Sequence, residues 1–236
     1  MKVFISQPMY LPWPGQFDQI RHADVFVHYD DVQLPQGRSF CNRVQIKTED
    51  DISWLSVPLV KNSRGLINEA LIDNSQDWKT KHLNKIRESL SKCRFYEDAA
   101  GLIQAVFDQE IVYLSDLNII FIEAVAQYLG LKTQFHRASN LGLNTRSTER
   151  LIEICKVYNA DCYITGHGAR NYLNHELFEL ENMSVHYMNY EIVPYPQFGT
   201  FTPYVTILDL IAHTGREALS HLQSTTSSWR EFLKNE

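Results

Sequence analysis

The sequence has few cysteines and no long apolar run. Its four cysteines, Cys41, Cys93, Cys155 and Cys162, are far apart, and no two form a C-x-x-C pair. This spacing excludes a zinc ribbon and a dithiol redox motif. Reduced thiols favour a cytoplasmic location, and the first residues lack the basic segment and apolar stretch of a signal peptide. No window approaches the roughly 20 apolar residues of a transmembrane helix, so we expect no membrane span.

Basic residues are also scarce. The chain has 22 Lys and Arg against 28 Asp and Glu, which gives a formal net charge of -6. This balance argues against a nucleic-acid partner. The nine histidines do not fall at ligand spacing with a partner carboxylate, so we predict no metal site, and the sequence identifies no cofactor. The length of 236 residues and the ordinary composition predict a single domain over residues 1–236.

The amino-terminal stretch is the most informative. Residues 3–5 predict a strand, residues 16–22 a short helix and residues 23–29 a second buried strand. Between the first strand and the helix, three prolines and a glycine fall within eight residues and predict a stiff loop. Loops at the carboxyl ends of strands bind ligands in α/β proteins. Tyr10 and Trp13 on this loop are therefore candidate stacking surfaces; alternatively, they only cap the core.

The rest of the chain alternates strands and helices. Strands are predicted at 53–59, 67–72, 132–136, 162–164 and 185–188, and amphipathic helices at 78–90, 95–109 and 114–129. Gly130 is placed to end the third of these helices. The pattern predicts an α/β fold with a mostly parallel, nucleotide-binding-like sheet and a helical block at about 78–130 in the middle of the chain.

Three side chains are candidates for proton transfer. Asp30 and Asp31 end the second predicted strand, where neighbouring side chains point to opposite faces. One of them can face the same crevice as Tyr10, although an Asp pair also commonly forms turns. His82 lies beside the apolar stripe of a predicted helix and can equally be a core histidine. Cys41, in a polar segment, is the one cysteine that we consider as a reactive thiol.

Further polar groups are candidates for substrate binding. Arg38, Arg43 and Lys47 form the densest cationic cluster, and arginine binds carboxylate or phosphate through two parallel hydrogen bonds; a solvated strand face is the alternative. A helix is predicted to begin after Ser147, with its free N–H groups available to an anion. Asp209 lies in an apolar run and must find a donor if it is buried.

Segments along nearly the whole chain resemble the WbqC-like protein family. They include Ser6-Gln7-Pro8-x-Tyr10-Leu11-Pro12-Trp13-x-Gly15, Asp30-Asp31-Val32-Gln33, Asn42-Arg43-x-x-Ile46-Lys47, Thr148-Glu149-Arg150-Leu151, Tyr195-x-Gln197 and Pro203-Tyr204-x-x-Ile207-x-Asp209-Leu210. Two segments depart from the family pattern. Ser39-Phe40 stands where Ser-Trp is usual, and His167 follows Gly166 where the family more often has Ser-Gly without a histidine. The second departure makes His167 a poor candidate for a family-wide catalyst.

The resemblance implies a bacterial transferase of surface polysaccharide (O-antigen) biosynthesis. The suggested activity is transfer of glycine, or another acyl or aminoacyl group, to a sugar, with a nucleotide sugar or acyl donor as the small-molecule substrate. The expected catalytic residues are Asp30, Asp31 and His82. The expected substrate-binding residues are Tyr10, Trp13, Gln33, Arg38, Asn42, Arg43, Lys47, Glu149, Arg150, Gly166, Tyr195, Gln197 and Asp209. We expect these side chains to gather at one pocket under the aromatic loop.

Two other functions fit the same residues. The order of strand, Pro/Gly loop, helix and strand is similar in outline to nucleotidyltransferases with a His-x-Gly-His motif, which suggests an ATP-dependent ligase. The first loop of this chain has no histidine, which argues against that chemistry. A non-catalytic protein that binds a sugar or nucleotide within a biosynthetic complex is the third possibility.

Overall fold

The computed structural model describes residues 1–35, 37, 39–48, 51–61 and 65–234. The strands within these residues are β1 (Lys2–Ser6), β2 (Val25–His28), β3 (Arg43–Lys47), β4 (Ile52–Ser56), β5 (Gln134–Arg137), β6 (Cys162–Thr165), β7 (Ser184–Asn189) and β8 (Thr225–Ser228). The α-helices are α1 (Pro14–His22), α2 (Trp78–Leu90), α3 (Tyr96–Phe107), α4 (Leu114–Tyr128), α5 (Ser147–Val157), α6 (His175–Leu180), α7 (Ile207–Thr214) and α8 (Trp229–Lys234).

Six strands form the main sheet, in the order β5-β2-β1-β6-β7-β8. The strands from β5 to β7 pair in parallel, and β8 pairs antiparallel with β7. The chain builds the sheet outward from β1 to β5 on one side and from β6 to β8 on the other. It therefore reverses direction between β1 and β6, at a topological switch point where open α/β sheets bind ligands. The predicted α/β fold with a mostly parallel sheet is confirmed.

The central strands are apolar because both faces of the sheet are covered. Phe4 and Phe26 pair in register on one face, with ring centroids 5.8 Å apart, and they join a core that includes α1 and α4. Val3 and Val25 point to the other face, since neighbouring side chains alternate along a strand. There they join a core with residues of α5, α6 and α8.

The helical block in the middle of the chain comprises α2, α3 and α4, as the apolar periodicity predicts. On α2 the buried side chains include Trp78, His82 and Ile86, which share one helical face. After α4 the chain turns at Gly130, whose φ of +75° is the left-handed conformation that glycine adopts readily at a helix end.

The strand expected at residues 67–72 is wrong. Residues Ile67–Glu69 form a short 3-10 turn. Among the described residues only isolated bridges flank it, namely Gln33 with Leu66, Leu59 with Ile72 and Leu71 with Tyr113. The carboxylate of Glu69 accepts a hydrogen bond from the Leu66 N–H at 3.3 Å. This local contact, together with complete burial of Ile67, stabilises the turn against the extended conformation that the β-branched residues favour.

The loop between β1 and α1 is held by hydrogen bonds with other segments of the same chain. The Tyr10 N–H donates to the Phe40 carbonyl at 2.9 Å, and the Ile207 N–H donates to the Pro12 carbonyl at 2.7 Å. Leu11 has a φ of +41°, a conformation that is costly for a residue with a side chain and persists where packing enforces it. These contacts fix the position of the loop at the carboxyl end of β1.

Candidate functional site

A cavity of about 680 Å³ opens at the carboxyl ends of β1, β2 and β6. We call it the switch-point cavity. Its polar lining residues include Ser6, Gln7, Tyr29, Thr165, Gly166 and His167, which end these strands or directly follow them. The cavity therefore lies at the reversal of chain direction, and its volume is within the range of small-molecule sites.

Aromatic rings form much of the cavity wall. The rings that line it beyond the Phe4 ring are those of Trp13, Tyr29, Phe40, Tyr163, Tyr172 and Tyr190. The Trp13 and Tyr190 rings are in contact, with centroids 5.0 Å apart. The Trp13 ring packs directly on Gly15, where a Cβ would lie 2.2 Å from the indole ring. Glycine at position 15 thus permits the ring position of Trp13 at the cavity.

Gly166 and Gln19 form the floor near the sheet. A Cβ on Gly166 would lie 3.0 Å from the Tyr190 hydroxyl oxygen, so glycine here leaves room for that phenol. The Gln19 side chain donates a hydrogen bond to the same hydroxyl, and burial raises the pKa of Tyr190 to about 12. The other amide atom of Gln19, Oε1, is buried with no hydrogen-bond partner among the described residues. It is an unpaired acceptor with almost no exposed surface, and a ligand reaches it only when the Gln19 side chain turns toward the cavity.

His167 is the cavity residue best placed for proton transfer. Its Nε2 lies 2.7 Å from the Met188 carbonyl oxygen. Because a carbonyl only accepts hydrogen bonds, this contact assigns the proton of the neutral imidazole to Nε2 and leaves Nδ1 as an acceptor. The ring is held further by contacts with Tyr190 and Phe232, at centroid distances of 5.2 and 4.9 Å. The sequence comparison with the family argued against this residue, whereas the structure places it at the cavity.

The described lining of the cavity contains no Asp, Glu, Lys or Arg side chain. Ser147 at the start of α5 lines the cavity, and the first N–H groups of an α-helix have no partner within the helix. The residue at the N-cap position is Arg146, which forms no side-chain cap hydrogen bond, and Ser147, which the sequence suggested as the cap, is the first residue of the helix. At this end of the cavity the backbone N–H groups at the start of α5 are the candidates for holding an anionic group.

Cys41 lines the cavity, but it is a protected thiol. Burial raises the pKa of Cys41, so the thiol stays protonated and is a weak nucleophile. Its backbone N–H donates to the Ser39 hydroxyl at 3.1 Å. We conclude that Cys41 shapes the wall of the cavity.

Asp30 and Asp31 lie at the end of β2 with different partners. Asp30 is fully buried, and its two carboxylate oxygens accept hydrogen bonds from the Ser139 N–H at 3.0 Å and hydroxyl at 2.8 Å. Asp31 forms an ion pair with Arg150 of α5; burial raises its pKa, and the arginine opposes that shift. Glu149, beside Arg150, is exposed. The Asp30 and Asp31 carboxylates thus join the end of β2 to Ser139 and to α5.

Tyr10 and His82 meet in the protein interior. The Tyr10 hydroxyl and His82 Nδ1 are 2.7 Å apart, and both side chains are buried. Burial lowers the pKa of His82 to about 4, and a hydrogen bond with the Ser56 backbone partly opposes this. The imidazole is therefore neutral near pH 7 and accepts the phenolic proton. The contact ties the aromatic loop to α2, and neither residue lines the switch-point cavity.

The polar residues of the β3–β4 hairpin are spread over separate contacts. The Arg43 guanidinium stacks on the Trp54 ring, 3.5 Å from its centroid. The Lys47 ammonium donates a hydrogen bond to the Thr200 carbonyl at 2.7 Å. The Asn42 amide donates one to the Val57 carbonyl at 3.3 Å. Gln33 donates to the Gly65 carbonyl. The predicted phosphate-binding residue Arg38 lies outside the described residues.

Tyr195, Gln197 and Asp209 form a second polar cluster. The Gln197 amide donates to Asp209 Oδ1 at 2.8 Å and to the Tyr195 hydroxyl at 2.7 Å. The structure thus distributes the predicted site residues over several places. Of those that it describes, Trp13 and Gly166 line the switch-point cavity.

Asn118 is a structural residue of the site that the sequence shows only as a polar break in an apolar helix. It is fully buried on α4. Its amide donates to the Pro8 carbonyl at 2.9 Å and to the Cys41 carbonyl at 2.7 Å. One side chain therefore holds together two segments that border the cavity, which sequence spacing of 77 and 110 residues could not reveal.

Comparison with known proteins identifies the family. A model of the WbqC-like protein family matches residues 7–221. The chain belongs to the WbqC-like protein family. A protein of Mycobacterium tuberculosis (strain ATCC 25618 / H37Rv) described as "Uncharacterized protein Rv1507c" is 33% identical over 227 residues, which cover 94% of this chain and 97% of that protein. No solved structure matches the chain.

The family match covers the elements that build the switch-point cavity except β1. It begins at Gln7, directly after β1, and extends to His221. In this WbqC-like chain no helix of the described residues has the length and apolar character to cross a membrane. Nor are three or more His, Cys, Asp or Glu side chains of that part of the chain grouped so that they could hold a metal ion.

Proposed function

We propose that this protein transfers an acyl or aminoacyl group, such as glycyl, to an amino sugar carried by a nucleotide. The sugar nucleotide binds in the switch-point cavity. The family resemblance associates this reaction with bacterial surface polysaccharide (O-antigen) biosynthesis, and we propose the same setting here. The observation that carries the proposal is the location, at the reversal between β1 and β6, of a cavity with aromatic walls and no charged side chain among its described lining residues.

The cavity lining suits a sugar nucleotide. Trp13 and Tyr190 offer aromatic faces on which a sugar ring or base stacks, and the free Oε1 of Gln19 accepts a hydrogen bond from a hydroxyl or amine. The phosphates lie at the amino end of α5, near Ser147, where backbone N–H groups bind anions. The backbone after β6 allows close approach of the ligand at Gly168, where a Cβ would meet nothing within 4 Å.

His167 is the proposed base. The amine of the sugar attacks the carbonyl carbon of the acyl donor, and a C–N bond forms while the bond to the leaving group breaks. The amine proton passes to Nδ1 of His167, which accepts it because Nε2 is already protonated by its contact with Met188. General-base assistance of this kind accelerates a reaction by about 10²- to 10⁴-fold. In this proposal Asp30 and His82 support the loops around the cavity, and they have no direct role in proton transfer.

Mass spectrometry tests the proposal. The protein is incubated with a UDP-linked amino sugar that has a free amine and with one donor at a time: glycyl thioester, glycyl-tRNA, or glycine with ATP. We expect the amide product with one donor, and its loss in His167→Asn. The matched control His136→Asn changes an exposed histidine on β5, outside the cavity, and should retain full activity.

An ATP-dependent ligase is the second candidate, because the sheet order is one that binds nucleotides. It predicts release of pyrophosphate when ATP and an acid are present without any sugar acceptor. Saturable binding of the sugar nucleotide without turnover of any donor would instead indicate an accessory binding protein and contradict the transferase proposal.

A further inference from the structure

The hydroxyl group of Tyr190 lies at the carboxyl end of β6, where residue 166 has no side chain. A Cβ on Gly166 would lie 3.0 Å from the Tyr190 hydroxyl oxygen and 3.7 Å from Gln19 Nε2. Gly166, Gln19 and Tyr190 all line the switch-point cavity. The phenol oxygen therefore occupies the space that the glycine leaves, at the end of a central strand and beside the cavity.

The aromatic ring of Tyr190 packs against two other rings of the cavity wall. Its centroid lies 5.0 Å from that of Trp13 and 5.2 Å from that of His167. The His167 Nε2 lies 2.7 Å from the carbonyl oxygen of Met188, two residues before Tyr190 in the chain. The chain at the end of β7 thus holds the proposed base and also carries the phenol. Both groups therefore lie in the same part of the cavity wall.

The Tyr190 hydroxyl accepts a hydrogen bond, while its own proton has no acceptor within the described part of the chain. The Gln19 amide nitrogen donates to the phenol oxygen. A phenol can accept and also donate one hydrogen bond. No carbonyl, carboxylate or hydroxyl of the described residues accepts the proton of Tyr190. The O–H group is therefore a donor that a ligand in the cavity can use.

The orientation of the Gln19 amide decides whether this proton is available. Gln19 is buried, and of its two amide atoms Oε1 lacks a hydrogen-bond partner among the described residues. In the opposite orientation Oε1 would accept the phenolic proton, and the nitrogen with its two N–H groups would stand at the position that now has no partner. Buried N–H groups without an acceptor are rarer than under-satisfied carbonyl oxygens. The observed orientation, with the phenol as acceptor, is therefore favoured.

We propose that the Tyr190 hydroxyl donates a hydrogen bond to the carbonyl oxygen of the acyl donor and stabilises the negative charge that develops there. This role rests on the proposed function of the cavity and makes Tyr190 a second catalytic residue beside His167. When the amine attacks the carbonyl carbon, a C–N bond forms and one electron pair of the C=O bond moves to the oxygen. The pair returns as the bond to the leaving group breaks, and the phenolic proton stays on Tyr190 throughout.

The chemistry of the phenol suits an oxyanion donor. Burial raises the pKa of Tyr190 to about 12, although the hydrogen bond from Gln19 opposes this shift. Near pH 7 the hydroxyl therefore keeps its proton and leaves the role of base to His167. Donation from Gln19 also polarises the O–H bond and strengthens the hydrogen bond that it makes. A donor already fixed at the site stabilises developing charge without the reorganisation that water requires.

Tyr190→Phe tests the donor, because it removes the hydroxyl and keeps the ring. With the productive acyl donor, kcat should fall by about 10²- to 10³-fold. The Kd for the UDP-linked amino sugar, measured by calorimetry, should stay unchanged. The matched control is Tyr204→Phe, since the exposed Tyr204 ring also contacts Trp13, at 5.8 Å, but is not among the described lining residues of the cavity. Its kcat should equal that of the original protein.

A binding measurement tests the same role without turnover. The probe is a UDP-linked amino sugar whose nitrogen carries a methylphosphonyl group, a tetrahedral anion that resembles the intermediate. The original protein should bind this probe at least tenfold more tightly than the amino sugar itself, and Tyr190→Phe should lose that difference. Gly166→Ala is a second variant, because its Cβ displaces the Tyr190 hydroxyl while the phenol remains. It should also lower kcat. Circular dichroism and the melting temperature verify that each variant is folded.

The outcomes separate the role of Tyr190 from the proposed function. If the original protein forms the amide and folded Tyr190→Phe keeps its full kcat, the oxyanion role is overturned and the transferase proposal stands. If Tyr190→Phe does not fold, an unchanged kcat in folded Gly166→Ala overturns the role. A higher Kd for the amino sugar with unchanged kcat would assign the phenol to ground-state binding, which also contradicts the role. No product from the original protein with any donor overturns the proposed function and the role of Tyr190 together.

Discussion

The switch-point cavity and the Tyr10–His82 contact both involve the aromatic loop, and they differ in how their polar groups are satisfied. At the Tyr10–His82 contact, each side chain is buried and meets the other. At the cavity, Gln19 keeps a buried acceptor without a partner among the residues that the structure describes, and the contact of His167 Nε2 with Met188 leaves Nδ1 as an acceptor. A polar group already paired inside the fold supports structure, while an unpaired one at a cavity can bind a ligand. A change at the Tyr10–His82 contact should therefore lower stability more than activity, and a change in the cavity should lower activity more than stability.

The largest expected effect is the loss of transfer in His167→Asn. Removal of the base should lower kcat by about 10²- to 10⁴-fold, because Asn cannot take up a proton. The melting temperature should stay within about 2 °C of the original protein, since the His167 ring is exposed. Steady-state kinetics with the productive donor measure the first quantity and thermal unfolding the second. A marked fall in the melting temperature together with the loss of kcat would instead assign His167 a structural role.

His82 should respond to pH through stability. Its folded-state pKa of about 4 is below the ordinary value of about 6.5, so the unfolded chain binds the proton more readily. The stability that comes from the neutral imidazole is complete above pH 6.5 and is lost as the pH falls through 4. This shift in the pKa of His82 lowers the unfolding free energy by roughly 2–3 kcal/mol at pH 4.5 relative to neutral pH.

Urea unfolding at pH 7.5 and pH 4.5 measures this loss. In His82→Gln the difference in unfolding free energy between the two pH values should shrink by that amount, while His136→Gln should behave as the original protein. An unchanged difference in His82→Gln would show that other groups cause the acid sensitivity.

Asp30→Asn should cost stability with little direct effect on chemistry. The carboxylate accepts two hydrogen bonds from Ser139, and an amide can keep only one of them. Bonds to a buried charged group are worth about 1.5–3 kcal/mol each, so we expect a loss of about 2 kcal/mol in urea unfolding. The exposed pair of Asp161 with the amino terminus provides the control, and Asp161→Asn should change stability far less. A stable but inactive Asp30→Asn would instead support the catalytic role first predicted from the sequence.

Trp13→Leu should give the smallest effect. Loss of a stacking ring typically costs 1–3 kcal/mol for a nucleobase, and leucine retains part of the apolar contact. We expect the Kd for the sugar nucleotide to rise about tenfold, measured by calorimetry. Trp54→Leu, on the exposed face of the β3–β4 hairpin, is the matched control and should bind normally.

The fold could be predicted from the sequence because its signals are local. The apolar runs at Val3 and Val25 indicate strands buried on both faces, and the spacing of Trp78, His82 and Ile86 indicates a helix. The segment after Leu66 misled for the same reason. Its β-branched residues favour a strand, whereas the Glu69 carboxylate and the burial of Ile67 favour a turn.

The candidate site could be predicted only in part, because it depends on contacts between distant segments. The aromatic loop was identifiable from Trp13 and its prolines. The sequence could not distinguish a paired His82 from the available His167, since their partners Tyr10 and Met188 are set by the tertiary structure.

Calorimetric titration of a UDP-linked amino sugar into the original protein and Gly166→Val tests the central claim most directly. A valine there would push the Tyr190 hydroxyl into the cavity, because even a Cβ lies 3.0 Å from it. Gly101→Val is the control, since a Cβ at that position meets nothing within 4 Å. We predict that the Kd of folded Gly166→Val is at least tenfold higher than that of the original protein and that the Kd of Gly101→Val is unchanged. Equal affinity in all three proteins would contradict binding in the switch-point cavity.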